Sequence, residues 1–136
     1  MNRPLSGRIV QRAIALAAVL FGVVTIVAGT RILGGSDPGY VVFLPLLIYN
    51  TAMGFAYLGV GVVAWRHLDH GRNGATAVFL LNLLVLAGIG ALHLSGGAVA
   101  TQSLGAMAFR TLVWLGLFTG LWWLSRRARG AQSRVQ

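Results

Sequence analysis

The side chains able to do chemistry in this sequence stand out because they are set in long apolar stretches: Arg31, Asp37, Tyr49, Asn50, Asn82, His93 and Arg110. The run LLNLLVLAGIGALHLSGG, residues 80–97, carries Asn82 near its start and His93 near its end. Their spacing is close to three helical turns, so they share one face, about 16 Å apart along the axis. An imidazole can donate, accept or shuttle a proton. A guanidinium offers five donors to carbonyl or anionic oxygens, and an asparagine amide can tie one helix to another.

Several chemistries lack their parts. His67 and His70 flank Asp69, but His93 lies at the far end of a helix from them, so no metal site is expected. The same separation removes a bis-histidine haem within the chain and leaves open only a haem shared with a partner. Neither acid, Asp37 or Asp69, falls in an apolar run, and Ser95 lies on a different face from His93, so no hydrolytic set forms and the reading leans away from an enzyme. The absence of cysteine excludes disulfides and thiolate sites.

What must position these residues is a set of membrane helices. The 136 residues are 57% hydrophobic and 10% charged, too apolar for a soluble domain of this size. Four apolar runs, about 13–33, 40–65, 75–94 and 104–124, each reach the roughly 20 residues a helix needs to cross a bilayer. They are too continuous for barrel strands. The first run is too long for the apolar part of a signal peptide, and AGTRIL is a poor cleavage site, so it reads as a retained helix.

The formal charge of +9 raises the question of nucleic acid, but its distribution answers otherwise. Arg3, Arg8, Arg12, Arg66, Arg72, Arg126, Arg127, Arg129 and Arg134 all fall on one side of a four-span arrangement. This is the positive-inside pattern, which places both termini in the cytoplasm and residues 125–136 in a basic cytoplasmic tail. Attraction to anionic headgroups accounts for the set without nucleic acid. The connections GGSDPG (34–39), RHLDHGRNG (66–74) and SGGAVATQS (95–103) are short, so consecutive helices lie side by side. The expected fold is therefore all-α: a single-domain, integral membrane, up-down four-helix bundle.

Small residues should line its seams, and Gly54 with Gly61, Gly88 with Ala91, and Gly116 with Gly120 supply them. On the second span Asn50, Gly54, Tyr57 and Gly61 form an inward stripe, which brings Asn50 to the mid-membrane level of Asn82. RILGG (31–35) and HLSGG (93–97) suggest a weak internal repeat in which Arg31 and His93 are equivalent. Arg110 lies about 9 Å inside the outer end of the fourth span, with Trp114 one turn on and placed to shield it by a cation–π contact.

The outer half thus gathers Arg31, Asp37, Tyr49, Asn50, His93, Gln102 and Arg110. Two readings follow. In the structural one, Arg31 pairs with Asp37, Arg110 reaches up to the outer loops, the asparagines bond helix to helix and His93 holds a loop carbonyl. In the functional one, His93 and Arg110 act as donors in a small polar pocket for an anionic headgroup, a quinone carbonyl or a polar metabolite.

The segments VLFGVVTIVAGTRIL, MGFAYLGVGVVAWR and GATAVFLLNLLVLAGIGAL, with Gly22, Gly29, Gly54, Gly59 and Gly61, resemble the DoxX-like group of small bacterial four-span membrane proteins over residues 12–94. The segment SDPGYVVFLPLLIYN departs from that pattern. Members of the group are associated with respiratory quinone-linked oxidoreductases, so the resemblance implies an accessory or redox-linked subunit in the bacterial inner membrane and transfers no catalytic residue. The expected function is non-catalytic: binding a lipid headgroup, a quinone or a larger membrane complex, with a homo-oligomer as a further arrangement. The alternative is a transport or redox-linked component handling a small polar or anionic substrate.

Overall fold

The computed structural model describes residues 5–133, and these form four helices: α1 (Leu5–Leu33), α2 (Leu44–Arg66), α3 (Leu68–Leu94) and α4 (Thr101–Gln132). Each is long and apolar enough to cross a bilayer, with mean hydropathy of 1.5 to 2.4 over its best window. Only 22 to 39% of those windows is buried, so most of the apolar side chains face outward. A surface of Leu16, Leu20, Val24, Phe55, Leu84 and Leu112 would be an aggregating patch in water and is an ordinary surface in lipid. The molecule is an all-α, up-down four-helix bundle with the architecture of a multi-pass membrane protein.

The seams follow a heptad. Gln11, Ala15, Ala18, Gly22, Thr25 and Gly29 are buried on α1, and Leu68, Gly71, Ala75, Val78, Asn82 and Ile89 on α3. A spacing of alternating threes and fours keeps a seam facing its neighbour in a left-handed bundle. On α1 the buried positions are small or polar and the outward ones large and apolar, an inversion of the soluble pattern that follows from lipid as solvent.

Helix ends explain the differences from the expected spans. Residues 66–74 are not a loop: the turn between α2 and α3 is the single extended residue His67 (φ −129°, ψ 104°). Asp69 in the first turn of α3 suits the positive end of the helix dipole and lies 3.5 Å from Arg72 one turn on. The glycines that read as breakers are contacts: a Cβ on Gly71 would collide with Ala64, and one on Gly74 would lie 2.9 Å from Val60. Helix α2 begins at Leu44 rather than at residue 40, with Pro45 in its first turn, where the missing N–H costs nothing. Helix α4 continues to Gln132, so the basic segment after residue 124 is helical for most of its length. Arg126 lies over Trp122 at 4.9 Å and Arg127 over Trp123 at 3.8 Å. Arg3 and Arg134 lie outside the described residues.

RILGG and HLSGG both form Schellman caps, but one residue out of step. Gly35 (φ 102°) closes α1, with Ser36 N–H donating to Arg31 O at 3.1 Å. Gly96 (φ 83°) closes α3, with Gly97 N–H donating to Leu92 O at 2.8 Å. Arg31 is therefore matched by Leu92, and His93 points about 100° away. The likeness is a repeated stop signal and does not make Arg31 and His93 equivalent.

Candidate polar site inside the bundle

Asn82 is fully buried on α3, and its Oδ1 accepts hydrogen bonds from the Tyr49 and Tyr57 hydroxyls of α2, each at 3.0 Å. The two tyrosines are two turns apart, roughly 12 Å along α2, and converge on one oxygen from either side. Tyr57 is also fully buried, its ring 4.9 Å from that of Trp114 on α4 and 5.7 Å from that of Phe21 on α1. All four helices thus meet around Tyr57. Asn50 and Asn82 both face the interior, as their stripes require, but Asn82 is held by tyrosines and not by Asn50.

Among the described residues three buried polar atoms have no partner: Asn82 Nδ2, Trp114 Nε1 and Asn50 Oδ1. Each such group costs about 1 to 3 kcal/mol of desolvation. Trp114 spends its ring on Tyr57 and makes no cation–π contact with Arg110; the arginines that stack on tryptophan are all at the other end.

Arg110 is one turn before Trp114 on α4, half-buried, and makes no hydrogen bond or ion pair among the described residues. Because α4 begins at Thr101, Arg110 lies about 14 Å along it, deeper than the sequence suggests. Its electrostatic neighbours are Tyr57, Tyr40 and Tyr49. A guanidinium at that depth is costly in lipid, by roughly 2.5 to 3.5 kcal/mol at a helix centre, unless oxygens reach it.

The structure divides the expected outer cluster. Tyr49 comes together with Tyr57 and Asn82, Arg110 is their electrostatic neighbour, and Asn50 is buried on the same helix as the tyrosines. Arg31 is exposed and unpaired among the described residues, because Asp37 instead accepts the Gly39 N–H at 2.8 Å in a turn of its own. Gln102 is exposed. His93 leaves the cluster: its Nδ1 bonds Val99 O at 2.8 Å and fixes the α3–α4 turn. The carbonyl can only accept, so Nδ1 carries the proton in this bond.

Sequence reasoning left Tyr57 and Tyr40 outside the site. The signal for Tyr57 was present, since it stands two turns from Tyr49 on the buried stripe. Tyr40 gave none, because it lies in the irregular segment before α2. Among the described residues no group of three or more metal-ligating side chains gathers. Compared with family models, curated proteins and solved structures, the chain has no match.

Proposed function

We propose that this protein is a small, non-catalytic membrane subunit that binds the oxygen-bearing head of an amphiphile, a quinone carbonyl or an anionic lipid headgroup, at Arg110. The observation that carries this reading is the half-buried guanidinium without a hydrogen bond or ion pair among the described residues, deep in an apolar helix. Tyr49 and Tyr57 already spend their protons on Asn82, so their oxygens keep only acceptor capacity. Donors at the site therefore come from Arg110 and from the unpartnered Asn82 Nδ2 and Trp114 Nε1, and the complementary ligand is rich in acceptors. His93 plays no part in this site; its role is to hold the turn that starts α4.

The resemblance to the DoxX-like group supports the same assignment, an accessory subunit beside quinone-linked enzymes in a bacterial inner membrane. In that membrane the arginine-rich end faces the cytoplasm and Arg110 lies in the outer half. A reporter fused after Gln136 should be active on the cytoplasmic side; activity confined to the periplasmic side overturns the orientation.

Native mass spectrometry of gently extracted protein tests the binding. The parent should carry a co-purifying amphiphile, and Arg110→Leu, which suits an apolar helix, should lose it while keeping the parental unfolding temperature. Equal occupancy in both proteins removes Arg110 from ligand binding.

A further inference from the structure

The arginine-rich end holds a second site, unrelated to Arg110. A cavity of about 520 Å³ opens there between the start of α1 and the one-residue turn from α2 to α3. Its walls include Arg8, Arg12, Trp65, Arg66, His67 and His70. We propose that this cavity is a binding site for a phosphate-bearing anion, with the headgroup of an anionic phospholipid as the source that fits best.

The charge on the walls is not neutralised from within. Arg8 and Arg66 make no hydrogen bond or ion pair among the described residues, and Arg12 has only the face of Trp65, 5.3 Å from its guanidinium carbon. The single acid on the walls, Asp69, is drawn to Arg72 at 3.5 Å, outside the cavity lining. Three guanidinium groups against one shared carboxylate leave the cavity strongly positive, and the His67 and His70 rings, 5.7 Å apart, add donors to it.

The backbone contributes in the same sense. Because His67 alone makes the turn, the first turn of the 27-residue helix α3, Leu68 to His70, forms one wall. His67 provides no side-chain cap, so the leading N–H groups are left for an anion, while Asp69 offsets part of the helix dipole from the same turn. This turn is held firmly from behind. Gln11, buried in the α1 seam, donates to Ala64 O at 2.7 Å, and Gly71 packs against Ala64 with no room for a Cβ. The α1–α2–α3 junction is thereby fixed without using the arginines.

Two features favour a lipid over a soluble phosphate compound. The volume is far larger than one phosphate group needs and matches the range of sites for small organic ligands. Half-exposed Trp65 forms part of the lining, and the exposed Leu5 and Ile9 stand within one turn of Arg8 and Arg12 on α1, the mixture of aromatic and apolar surface found at headgroup level. Basic recesses between helix ends are the usual receptors for anionic headgroups.

The test uses the full chain in detergent, read by native mass spectrometry. It is titrated with a short-chain phosphatidylglycerol, with the phosphatidylcholine of equal chain length, and with inorganic phosphate. The cavity variant Arg12→Gln/Arg66→Gln is set against Arg126→Gln/Arg127→Gln, which removes the same charge from α4 at the same end. Phosphatidylglycerol should bind the parent about tenfold more tightly than phosphatidylcholine, and the cavity variant should lose that preference while the α4 variant keeps it. Phosphate that binds the parent and not the cavity variant, with no lipid preference, supports the site and assigns it to a soluble phosphate compound. Equal losses in both variants, or no preference in the parent, overturn the proposal, because the arginines would then act only as diffuse surface charge. Matching unfolding temperatures for the two variants show that the comparison is made between folded proteins.

Discussion

The two hairpins of the bundle use glycine in opposite ways. Between α1 and α2 glycines bring backbone against backbone: a Cβ on Gly22 would lie 2.7 Å from Leu58 N and 2.8 Å from Gly54 O, and one on Gly61 2.9 Å from Ala15 O. Between α3 and α4 large side chains do the packing, with Phe79 stacked on Phe118 at 6.0 Å and Ile89 and Met107 in one cluster. Gly88, Gly90, Gly105 and Gly116 on those helices face open space. In lipid, where apolar burial gives little drive to helix association, close backbone approach makes a stiff pair. Of the buried polar atoms without a partner among the described residues, those of Asn82 and Trp114 sit on the α3–α4 pair and that of Asn50 on α2, and the half-buried Arg110 is on α4. The difference suggests a rigid half that sets the frame and a side-chain-packed half, able to change rotamers, that carries the chemistry.

The largest effect should come from breaking the backbone contact. Gly22→Leu has no space that a side-chain movement could open and should leave no folded protein. Gly22→Ala should cost about 1 to 3 kcal/mol by overpacking. Helix α2 contains its own control, since Gly61 abuts α1 while Gly59 has nothing within 4 Å. Thermal unfolding in detergent should therefore separate Gly61→Ala, strongly destabilised, from Gly59→Ala, unchanged. Equal unfolding temperatures for these two would show that the α1–α2 seam is not held backbone to backbone.

A smaller effect is expected where the two halves are joined by hydrogen bonds. Tyr57→Phe removes one of the two donors to Asn82 Oδ1 and leaves the other, so the cost should be about 0.6 kcal/mol and no more than about 1.7, the range for interhelical bonds in membranes. Asn82→Leu removes the acceptor from both tyrosines but also deletes the unpartnered Nδ2, so one more buried group is left unsatisfied and its net cost should be about 1 to 3 kcal/mol. Chemical denaturation in mixed micelles measures both. A loss of several kcal/mol for Asn82→Leu would make the amide a principal stabiliser, and the rigid pair would no longer be the dominant half.

The spans, their number and their antiparallel order were legible because bilayer thickness fixes how long an apolar run must be. Their ends were less so. Residues 66–74 look like a loop because glycine and charge cluster there, yet Gly71 and Gly74 are small for the sake of Ala64 and Val60, a reason visible only once α2 is alongside. The glycine seams were half legible for the same cause: Gly54 and Gly61 face a helix, Gly120 meets only the tip of Ile14, and Gly88 and Gly116 face none. A spacing of four does not say which way a helix is turned. In the polar site, Tyr49, Asn50 and Arg110 declared themselves by being polar in apolar helices. The bond of His93 to Val99 did not, since it depends on the path of an irregular turn with no sequence periodicity.

The smallest effect is expected at the glycines that face outward, and it sharpens the comparison most. Gly116 lies between Trp114 and Gly120 on α4, is exposed, and would place a Cβ against nothing within 4 Å. Alanine there adds no clash and improves helix propensity, by up to about 1 kcal/mol in water and less in lipid, where the unfolded reference is already helical. Gly116→Ala and Gly88→Ala should thus leave the unfolding temperature level or slightly raised, and the elution volume in detergent unchanged. A clear destabilisation, or a shift from a larger to a smaller assembly, would mean that a second copy or another membrane protein covers this face. The glycines of α3 and α4 would then be contact residues like those of α1 and α2, used between chains instead of within one, and the apparent asymmetry of the bundle would belong to the isolated chain alone.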